Sequence, residues 1–336
     1  MKKILTFALA ATMALSLAAC GSIQPAGDAG GDGSASAENN TAGAAQYTVG
    51  VCQLVQHEAL DAATQGFTDA LEDIMGEGVV DVDVQNAQND SPTCSTIINK
   101  FVSQEVDLIM ANATPALQAA HSGTNSIPIL GTSVTEYGVA LEIENFDGLV
   151  GTNISGTSDL APLDGQAAMI KEWFPDAKTV GLLYCSAEAN SQYQVDTIKK
   201  FLEDDGFTCE YYAFSDSNDL SSVTTTAAAN CDVIYVPTDN TVASNAGMID
   251  NICAPAEVPV IAGEEGICAQ CGVATLSISY YDLGYKTGEM AASILKGEAD
   301  VSEMEIAYAP NFTKKYNKAK CEALKLEVPE GYIAIE

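Results

Sequence analysis

Short apolar runs alternate with amphipathic helical stretches along residues 47–262, and this alternation restricts the chain to a small set of folds. The runs are rich in Val, Ile and Leu and are bounded by polar residues, as expected for strands that are buried on both faces. Between them, apolar residues recur with helical spacing, which predicts helices covering both faces of parallel sheets. The fold class is therefore α/β, with strands predicted at residues 47–52, 80–84, 107–111, 128–130, 179–184, 208–213, 233–236 and 258–262.

The strand–helix pattern occurs twice, which predicts two doubly wound parallel-sheet domains joined by a hinge. The segment from Asn153 to Thr157 is polar and contains glycine, which suits a crossover between the domains. We expect domain 1 at residues 47–153 plus 280–306 and domain 2 at residues 154–279 plus 307–336. Ligands of such sheets bind outside the carboxyl ends of the strands, so two domains that face each other through these ends form a binding cleft.

The first twenty residues are typical of a secretory signal peptide. A basic start at Lys2 and Lys3 precedes an apolar run over residues 4–17, and small residues then lead to Cys20. The run is too short to span a bilayer stably. The cysteine resembles the lipobox of bacterial lipoproteins, which predicts cleavage after residue 19 and an extracytoplasmic protein anchored to the cell envelope by lipidated Cys20. An ordinary signal peptide with a chance cysteine is the alternative. Residues 21–46 hold almost nothing to bury and are expected to form a flexible tether.

The charge of the chain excludes two classes of partner. The formal net charge is −32, so electrostatic binding to nucleic acid or to an anionic membrane surface is not expected, and membrane contact falls to the lipid alone. Every basic side chain is Lys, and there is no Arg anywhere. A bidentate Arg clamp on a carboxylate is therefore impossible, and an anionic ligand group must be held by backbone N–H groups, hydroxyls, helix N-termini or Lys.

The chain has ten cysteines, and an odd number, nine, remains once Cys20 is assigned to the lipid. Two of them form the sequence Cys268-Ala269-Gln270-Cys271, which suits a local disulfide or a pair of free thiols better than a redox or metal site. The two histidines, His57 and His121, lie far upstream and complete no zinc pattern. No metal and no cofactor are therefore expected.

Several segments together resemble the tryptophan/tyrosine-type substrate-binding proteins of ABC transporters, which have the type I periplasmic-binding fold. The resemblance covers about residues 47–332. It rests on QLVQHEALD at 53–61 with GF at 66–67, ATPA at 113–116, YCSAEANS at 184–191 and PTDNTVAS at 237–244, with YYDLG at 280–284, TG at 287–288 and ILKG at 294–297. It implies an aromatic amino-acid ligand in the cleft, partner ABC permease and ATPase subunits, and a monomer that is not an enzyme. The chain departs from the family pattern at Cys52 and at Cys268 to Cys271.

Candidate ligand-binding residues of domain 1 follow its predicted strands. Gln53 and His57 come after the first strand, and the His57 ring suits stacking on an aromatic side chain, with a capping or surface role as the alternative. Thr114 stands before Pro115, a favoured first helical position, so its hydroxyl and the nearby N–H groups suit an α-carboxylate. Simple helix capping by Thr114 is the alternative. A second pair of donors is Thr132 and Ser133.

Candidate residues of domain 2 follow its strands in the same way. Asp239 suits an α-ammonium group with Asn240 as its hydrogen-bonding neighbour, or else it caps the next helix. Glu188, Asn190 and Ser191 are expected to bridge ligand or to close the hinge.

Two other functions fit parts of the sequence. A sensory module of the same fold would bind a small molecule and signal to a partner protein. An extracytoplasmic enzyme is the weaker alternative, because the chain has no Gly-x-Ser-x-Gly elbow, HExxH motif, phosphate loop or Gly-x-Gly-x-x-Gly.

Overall fold

The computed structural model describes residues 45–335. The predicted signal peptide, Cys20 and nearly all of the predicted tether lie outside the described residues. Within the described part of the chain, no helix combines the length and the apolar character needed to cross a membrane.

Strands and helices alternate through the described residues. The strands are β1 Tyr47–Gln53, β2 Val80–Asn86, β3 Leu108–Asn112, β4 Ile129–Val134, β5 Ile154–Ser158, β6 Thr179–Cys185, β7 Thr208–Phe214, β8 Val233–Val236, β9 Val260–Ala262, β10 Ala274–Ser277, β11 Ala307–Tyr308, β12 Thr313–Tyr316 and β13 Ile333–Ala334. The helices are α1 Glu58–Met75, α2 Ser91–Gln104, α3 Thr114–Gly123, α4 Tyr137–Ala140, α5 Leu163–Trp173, α6 Ala189–Asp204, α7 Ser217–Asn230, α8 Asn240–Ala243, α9 Ala246–Cys253, α10 Glu265–Gln270, α11 Tyr280–Leu295 and α12 Lys318–Leu324.

The strands form two sheets, each the centre of one lobe. The first lobe contains a six-stranded sheet in the order β11-β5-β4-β3-β1-β2, and all of its pairings are parallel. The second lobe contains a seven-stranded sheet in the order β13-β12-β10-β9-β8-β6-β7, in which β12 pairs antiparallel to β10. Two doubly wound α/β domains are thus confirmed, with one antiparallel pairing that the sequence pattern did not predict.

The segment that was predicted as a crossover, Asn153 to Thr157, is mostly strand β5 of the first sheet. Its polar side chains are buried and bonded: Thr157 Oγ1 lies 2.9 Å from Thr287 Oγ1, and Ser155 Oγ donates to the Met304 carbonyl at 2.9 Å. The chain therefore leaves the first sheet after Ser158, and it returns there with β11. Both strands lie beyond the domain 1 limits expected from the sequence, and the division into domains at those limits stays a prediction.

Helices α1 and α11 pack backbone to backbone on the first sheet. A Cβ atom added at Gly284 would lie 1.9 Å from the Ala63 carbonyl oxygen, and one added at Gly66 would lie 2.1 Å from the Tyr281 carbonyl oxygen. Only glycine permits this approach. Because α11 begins at Tyr280, directly after the second sheet, this packing fixes one of the connections between the lobes.

The cysteines of the described residues are all free thiols. Cys268 and Cys271, both on or beside α10, are buried, and burial raises the pKa of each thiol. No group of three or more His, Cys, Asp or Glu side chains in the described part of the chain is placed to hold a metal ion.

Candidate functional site

A small cavity lies between the lobes, at the carboxyl ends of the strands. Both lobes contribute to its wall, so it is the cleft that the doubly wound architecture predicts. Its lining residues are His57, Ala59, Leu60, Ser133, Thr135, Asp159, Asn190, Thr238, Asp239, Asn240, Ala243, Glu264 and Tyr280.

The first-lobe side of the site combines strained backbone with unpaired hydroxyls. Ala113 and Ser133 have φ angles of +95° and +53°, in the region that favours glycine. The hydroxyls of Thr114 and Ser133 are buried without a hydrogen-bond partner. Buried polar groups are rarely left unpaired, and backbone strain concentrates at functional sites, so both features indicate a place built for a ligand.

Thr114 does not cap helix α3. The residue at the N-cap position is Ala113, whose side chain offers no hydrogen bond, and Thr114 and Pro115 already lie in the first turn. Thr114 and Pro115 are buried but are not among the residues that line the cavity. The Thr114 hydroxyl is therefore left available, as the carboxylate interpretation requires.

Asp159 is a residue of the site that the sequence analysis missed. It is buried, and its Oδ2 accepts a hydrogen bond from the Tyr280 hydroxyl at 2.8 Å, while its Oδ1 has no partner. Burial raises the pKa of this carboxyl above its ordinary value. Asp159 follows β5, so the rule that placed the other candidates at strand ends would have found it had β5 been recognised as a strand.

Asp239 lines the cavity and also caps helix α8. Its Oδ2 accepts from the Cys185 N–H at 2.7 Å and its Oδ1 accepts from the Val242 N–H at 2.9 Å. Burial, with a contribution from the negative charge of Glu188, raises the pKa of Asp239 to about 8. The capping role is thus confirmed, and a carboxylate with two bonds still has capacity to accept from a ligand.

The other second-lobe candidates either line the cavity or hold a lining residue in place. Asn190 lines the cavity, and its side-chain oxygen is buried without a partner. Ser191 is fully buried and accepts a hydrogen bond from the Asn190 amide at 3.3 Å. The Glu188 carboxylate lies outside the lining and is occupied by the N-terminus of α8. Glu188 therefore supports the wall rather than facing the cavity.

His57 and Asn240 meet across the cleft, whereas Gln53 and Thr132 lie inside the first lobe. His57 Nε2 is 3.2 Å from Asn240 Oδ1, and burial lowers the pKa of the imidazole, which favours its neutral form. Gln53 donates to Asp61 at 2.7 Å and Thr132 lies 3.1 Å from Thr157, all within one lobe. Neither Gln53 nor Thr132 is among the residues that line the cavity.

Glu264 and Tyr280 complete the wall and were also missed. The Glu264 carboxylate caps α10 by accepting from the N–H groups of Gly266 and Ile267, and burial raises its pKa to about 7. Glu264 follows strand β9, so the strand-end rule covers it as well. Tyr280 begins α11, a helix that the sequence analysis did not predict, and no strand-end signal marks it.

The buried carboxyls predict that the ligand-free protein becomes less stable as pH rises above neutrality. A carboxyl whose pKa is raised by folding binds more protons in the folded state, so its contribution to stability is lost as pH rises from its unfolded pKa of about 4 through its folded pKa. For Asp239 and Glu264 the folded values are about 8 and about 7. Urea denaturation at pH 7 and pH 8, below the ordinary pKa of the cysteine thiols, should show a decrease of about 1 kcal/mol in the free energy of unfolding.

Measurements above pH 6.5 are not affected by the titration of His57. Burial lowers the pKa of His57, which reduces the stability of the fold only at more acidic pH. Asp239→Asn should make the pH dependence shallower, and Asp216→Asn, a helix cap on the surface, should not. A free energy of unfolding that rises with pH, or an unchanged slope in Asp239→Asn, would contradict this account.

Comparisons with known proteins agree with the architecture of the cleft. A family model described as ABC transporter substrate binding protein matches residues 48–334. The chain is 37% identical over 308 residues to a tyrosine-binding protein of Clostridioides difficile, covering 89% of this chain and 85% of that one. It is also similar to an ABC domain from Streptococcus pneumoniae solved in complex with L-Trp, with a TM-score of 0.82, 30% identity and coverage of 87% of this chain and 100% of that chain.

A second similar structure was solved without a ligand. This is the ligand-free, open form of a substrate-binding protein with adhesive properties from Clostridium difficile, with 40% identity, a TM-score of 0.66 and coverage of 86% of this chain and 99% of that chain. The more identical protein thus superposes less well than the L-Trp complex.

Proposed function

Because the chain belongs to the family of ABC transporter substrate-binding proteins, we propose that it binds an aromatic amino acid, Trp, Tyr or Phe, in the cavity between its lobes. Proteins of this family are extracytoplasmic and bind small molecules for ABC transporters. The single observation that carries the choice of ligand class is the set of unpaired buried polar atoms around the cleft: the hydroxyls of Thr114 and Ser133 and the Oδ1 atom of Asp159. They are two neutral donors and one anionic acceptor, which is what the two charged ends of an α-amino acid require.

The α-ammonium group of the ligand would lie between Asp159 and Asp239. Both carboxyls are buried, line the cavity and have raised pKa values, so a bound cation would offset the cost of their ionisation. The unpaired side-chain oxygen of Asn190 is a third acceptor on the same wall. Closure removes water from these groups, which makes the charge pairs stronger than they would be at a surface.

The α-carboxylate would bind the hydroxyls of Thr114 and Ser133. Thr114 lies in the first turn of α3, where backbone N–H groups have no partner within the helix, and the partial positive charge of that helix end favours an anion. Because the chain has no Arg, the α-carboxylate must be held by other donors. Hydroxyls and helix N–H groups are the neutral donors that can do so. The strained φ angles of Ala113 and Ser133 support a ligand-binding role for this part of the site.

The residues of the remaining cavity wall suit contact with an aromatic side chain. Ala59, Leu60 and Ala243 provide apolar contact, and the rings of His57 and Tyr280 offer faces for stacking. The named ligands of the similar proteins, tyrosine and L-Trp, support the same class.

The protein would deliver this ligand to the permease and ATPase subunits of an ABC importer, without enzymatic activity and as a monomer. Lipidated Cys20 would hold it at the outer face of the membrane. The net charge of −32 supports a contact with the membrane through the lipid alone and no role with nucleic acid.

The ligand class is tested by thermal unfolding of residues 47–336, refolded beforehand to remove carried-over ligand. The twenty amino acids, common sugars and nucleosides are added one at a time. A ligand at one hundred times its dissociation constant stabilises the folded state by about 2.7 kcal/mol, which gives a clear rise in melting temperature. A rise confined to Trp, Tyr and Phe is expected. No rise with any amino acid, or a rise with a sugar or nucleoside instead, would show that the ligand class is wrong.

A further inference from the structure

Glu188 holds two neighbouring residues of the second lobe in one fixed arrangement. Its Oε2 accepts from the backbone N–H of Asn240 at 3.0 Å and from the Asn240 side-chain amide at 2.7 Å. Its Oε1 accepts from the backbone N–H of Thr241 at 2.9 Å and from the Thr241 hydroxyl at 2.8 Å. The carboxylate is 4% exposed, so these four bonds replace the water that it lost on folding.

The same two residues bond to the first lobe across the cleft. Asn240 Oδ1 lies 3.2 Å from His57 Nε2, and Thr241 Oγ1 accepts a hydrogen bond from the side-chain amide of Asn89 at 3.0 Å. Asn89 lies in the loop between β2 and α2, where its backbone N–H donates to the Leu54 carbonyl at 2.8 Å. Glu188 therefore sets the orientation of both second-lobe side chains that bond across the cleft, Asn240 and Thr241.

The Asn89–Thr241 bond lies outside the ligand cavity. Neither residue is among those that line it, whereas His57 and Asn240 are. The Thr241 hydroxyl donates to Glu188 and accepts from the Asn89 amide, so the two bonds polarise each other through the hydroxyl and each is strengthened. This bond exists only when the lobes are together.

We infer that Glu188 is the positioning residue of a closure latch, in which Asn240–His57 and Thr241–Asn89 hold the lobes together and so set the lifetime of the bound state. The inference rests on the proposed function in one respect, since a lifetime of the bound state needs a ligand that binds between the lobes. The latch slows dissociation, because both of its bonds must break before the lobes open and the ligand leaves. The ligand enters the open cleft before either bond has formed, so the association rate does not depend on them.

The pair outside the cavity gives the most direct test. Asn89→Ala and Thr241→Val should each make dissociation of L-tyrosine about fivefold faster in stopped flow, with the association rate unchanged, because a neutral hydrogen bond contributes about a factor of five to an equilibrium. The double variant should be no faster than Thr241→Val alone, since the Asn89 and Thr241 side chains act across the cleft through one shared bond. Thr225→Val is the matched control, because the Thr225 hydroxyl bonds only within α7, to the Ser221 carbonyl.

A ligand-free measurement separates failure of the latch from failure of the proposed ligand. Single-molecule energy transfer between dyes at the exposed positions Asn145 and Ala187, one in each lobe, reports the dwell time of the closed form. The dyes are attached through non-cysteine chemistry, because the described residues carry nine free cysteines. Asn89→Ala should shorten the closed dwell about fivefold whether or not L-tyrosine binds. An unchanged closed dwell would overturn the latch.

Glu188→Gln tests the positioning role. A glutamine side chain keeps one oxygen but presents an amide to donors that the second carboxylate oxygen accepted, so about half of the four bonds are lost. The closed dwell should shorten about tenfold, more than in Asn89→Ala, because both cross-cleft bonds lose their alignment. If Glu188→Gln lowers the melting temperature but leaves the closed dwell unchanged, Glu188 is only a support of helix α8 and the inference is wrong.

Discussion

Asp159→Asn should weaken the binding of L-tyrosine about 100-fold while leaving the ligand-free protein at least as stable as the wild type. The carboxyl is buried, one of its oxygens has no hydrogen-bond partner, and its pKa is raised by burial, so in the empty site its charge is a cost to folding. A bound ammonium group pairs with this charge, so in the complex the charge is stabilising. An amide has the same shape and no charge, so it removes the attraction to the ligand together with the penalty in the empty site. Isothermal titration and thermal unfolding of the same preparation measure both effects.

Asp232→Asn is the matched control for this prediction. Asp232 precedes β8 of the second sheet, and its Oδ2 accepts from the backbone N–H groups of Lys178 and Thr179 at 2.8 and 2.9 Å. These bonds lower the pKa of Asp232, so its charge stabilises the fold. Asp232→Asn should therefore lower the stability and leave the affinity unchanged, the reverse of Asp159→Asn. Wild-type affinity in Asp159→Asn would exclude this carboxyl from the ammonium site.

Much of the fold could be predicted because its strands are buried on both faces and therefore form apolar runs. Strand β8 was predicted at its observed bounds, and most others within a few residues. Strand β5 was missed because Ser155, Gly156 and Thr157 carry no apolar signal. Their hydroxyls are satisfied by residues more than a hundred positions later, such as Thr287, and no local pattern shows such partners.

The candidate site was predicted to the extent that it follows from strand ends. His57, Ser133, Asn190, Asp239 and Asn240 line the cavity as expected. The strand-end rule cannot distinguish a side chain that faces the cavity from one that is used by a neighbouring helix, so for Glu188 it left open whether the side chain bridges ligand or closes the hinge. Tyr280 reaches the site from the start of α11, and its position depends on the packing of that helix on α1. Such contacts depend on tertiary structure and carry no signal in the local sequence.

Gly284→Ala should destabilise the protein by about 3 kcal/mol or more, the largest stability effect that we expect from adding a single methyl group. The new Cβ would lie 1.9 Å from the Ala63 carbonyl oxygen and 2.6 Å from its carbonyl carbon, both of which belong to the backbone and cannot rotate away. Helix α11 would have to move away from α1, which opens the packing around Phe67 and Leu71 in the first-lobe core. Urea denaturation, followed by circular dichroism, measures the loss.

Gly247→Ala is the control with the same chemistry, because Gly247 lies in helix α9 and a Cβ added there meets nothing within 4 Å. Alanine is the better helix former, so this variant should gain about 0.5–1 kcal/mol. The two substitutions share their effect on the unfolded chain, and their difference therefore reports the contact with Ala63 alone. Since α11 also places Tyr280 against Asp159, Gly284→Ala should weaken ligand binding in the fraction that remains folded. Equal stabilities of the two variants would mean that the α1–α11 contact is looser than the structure shows.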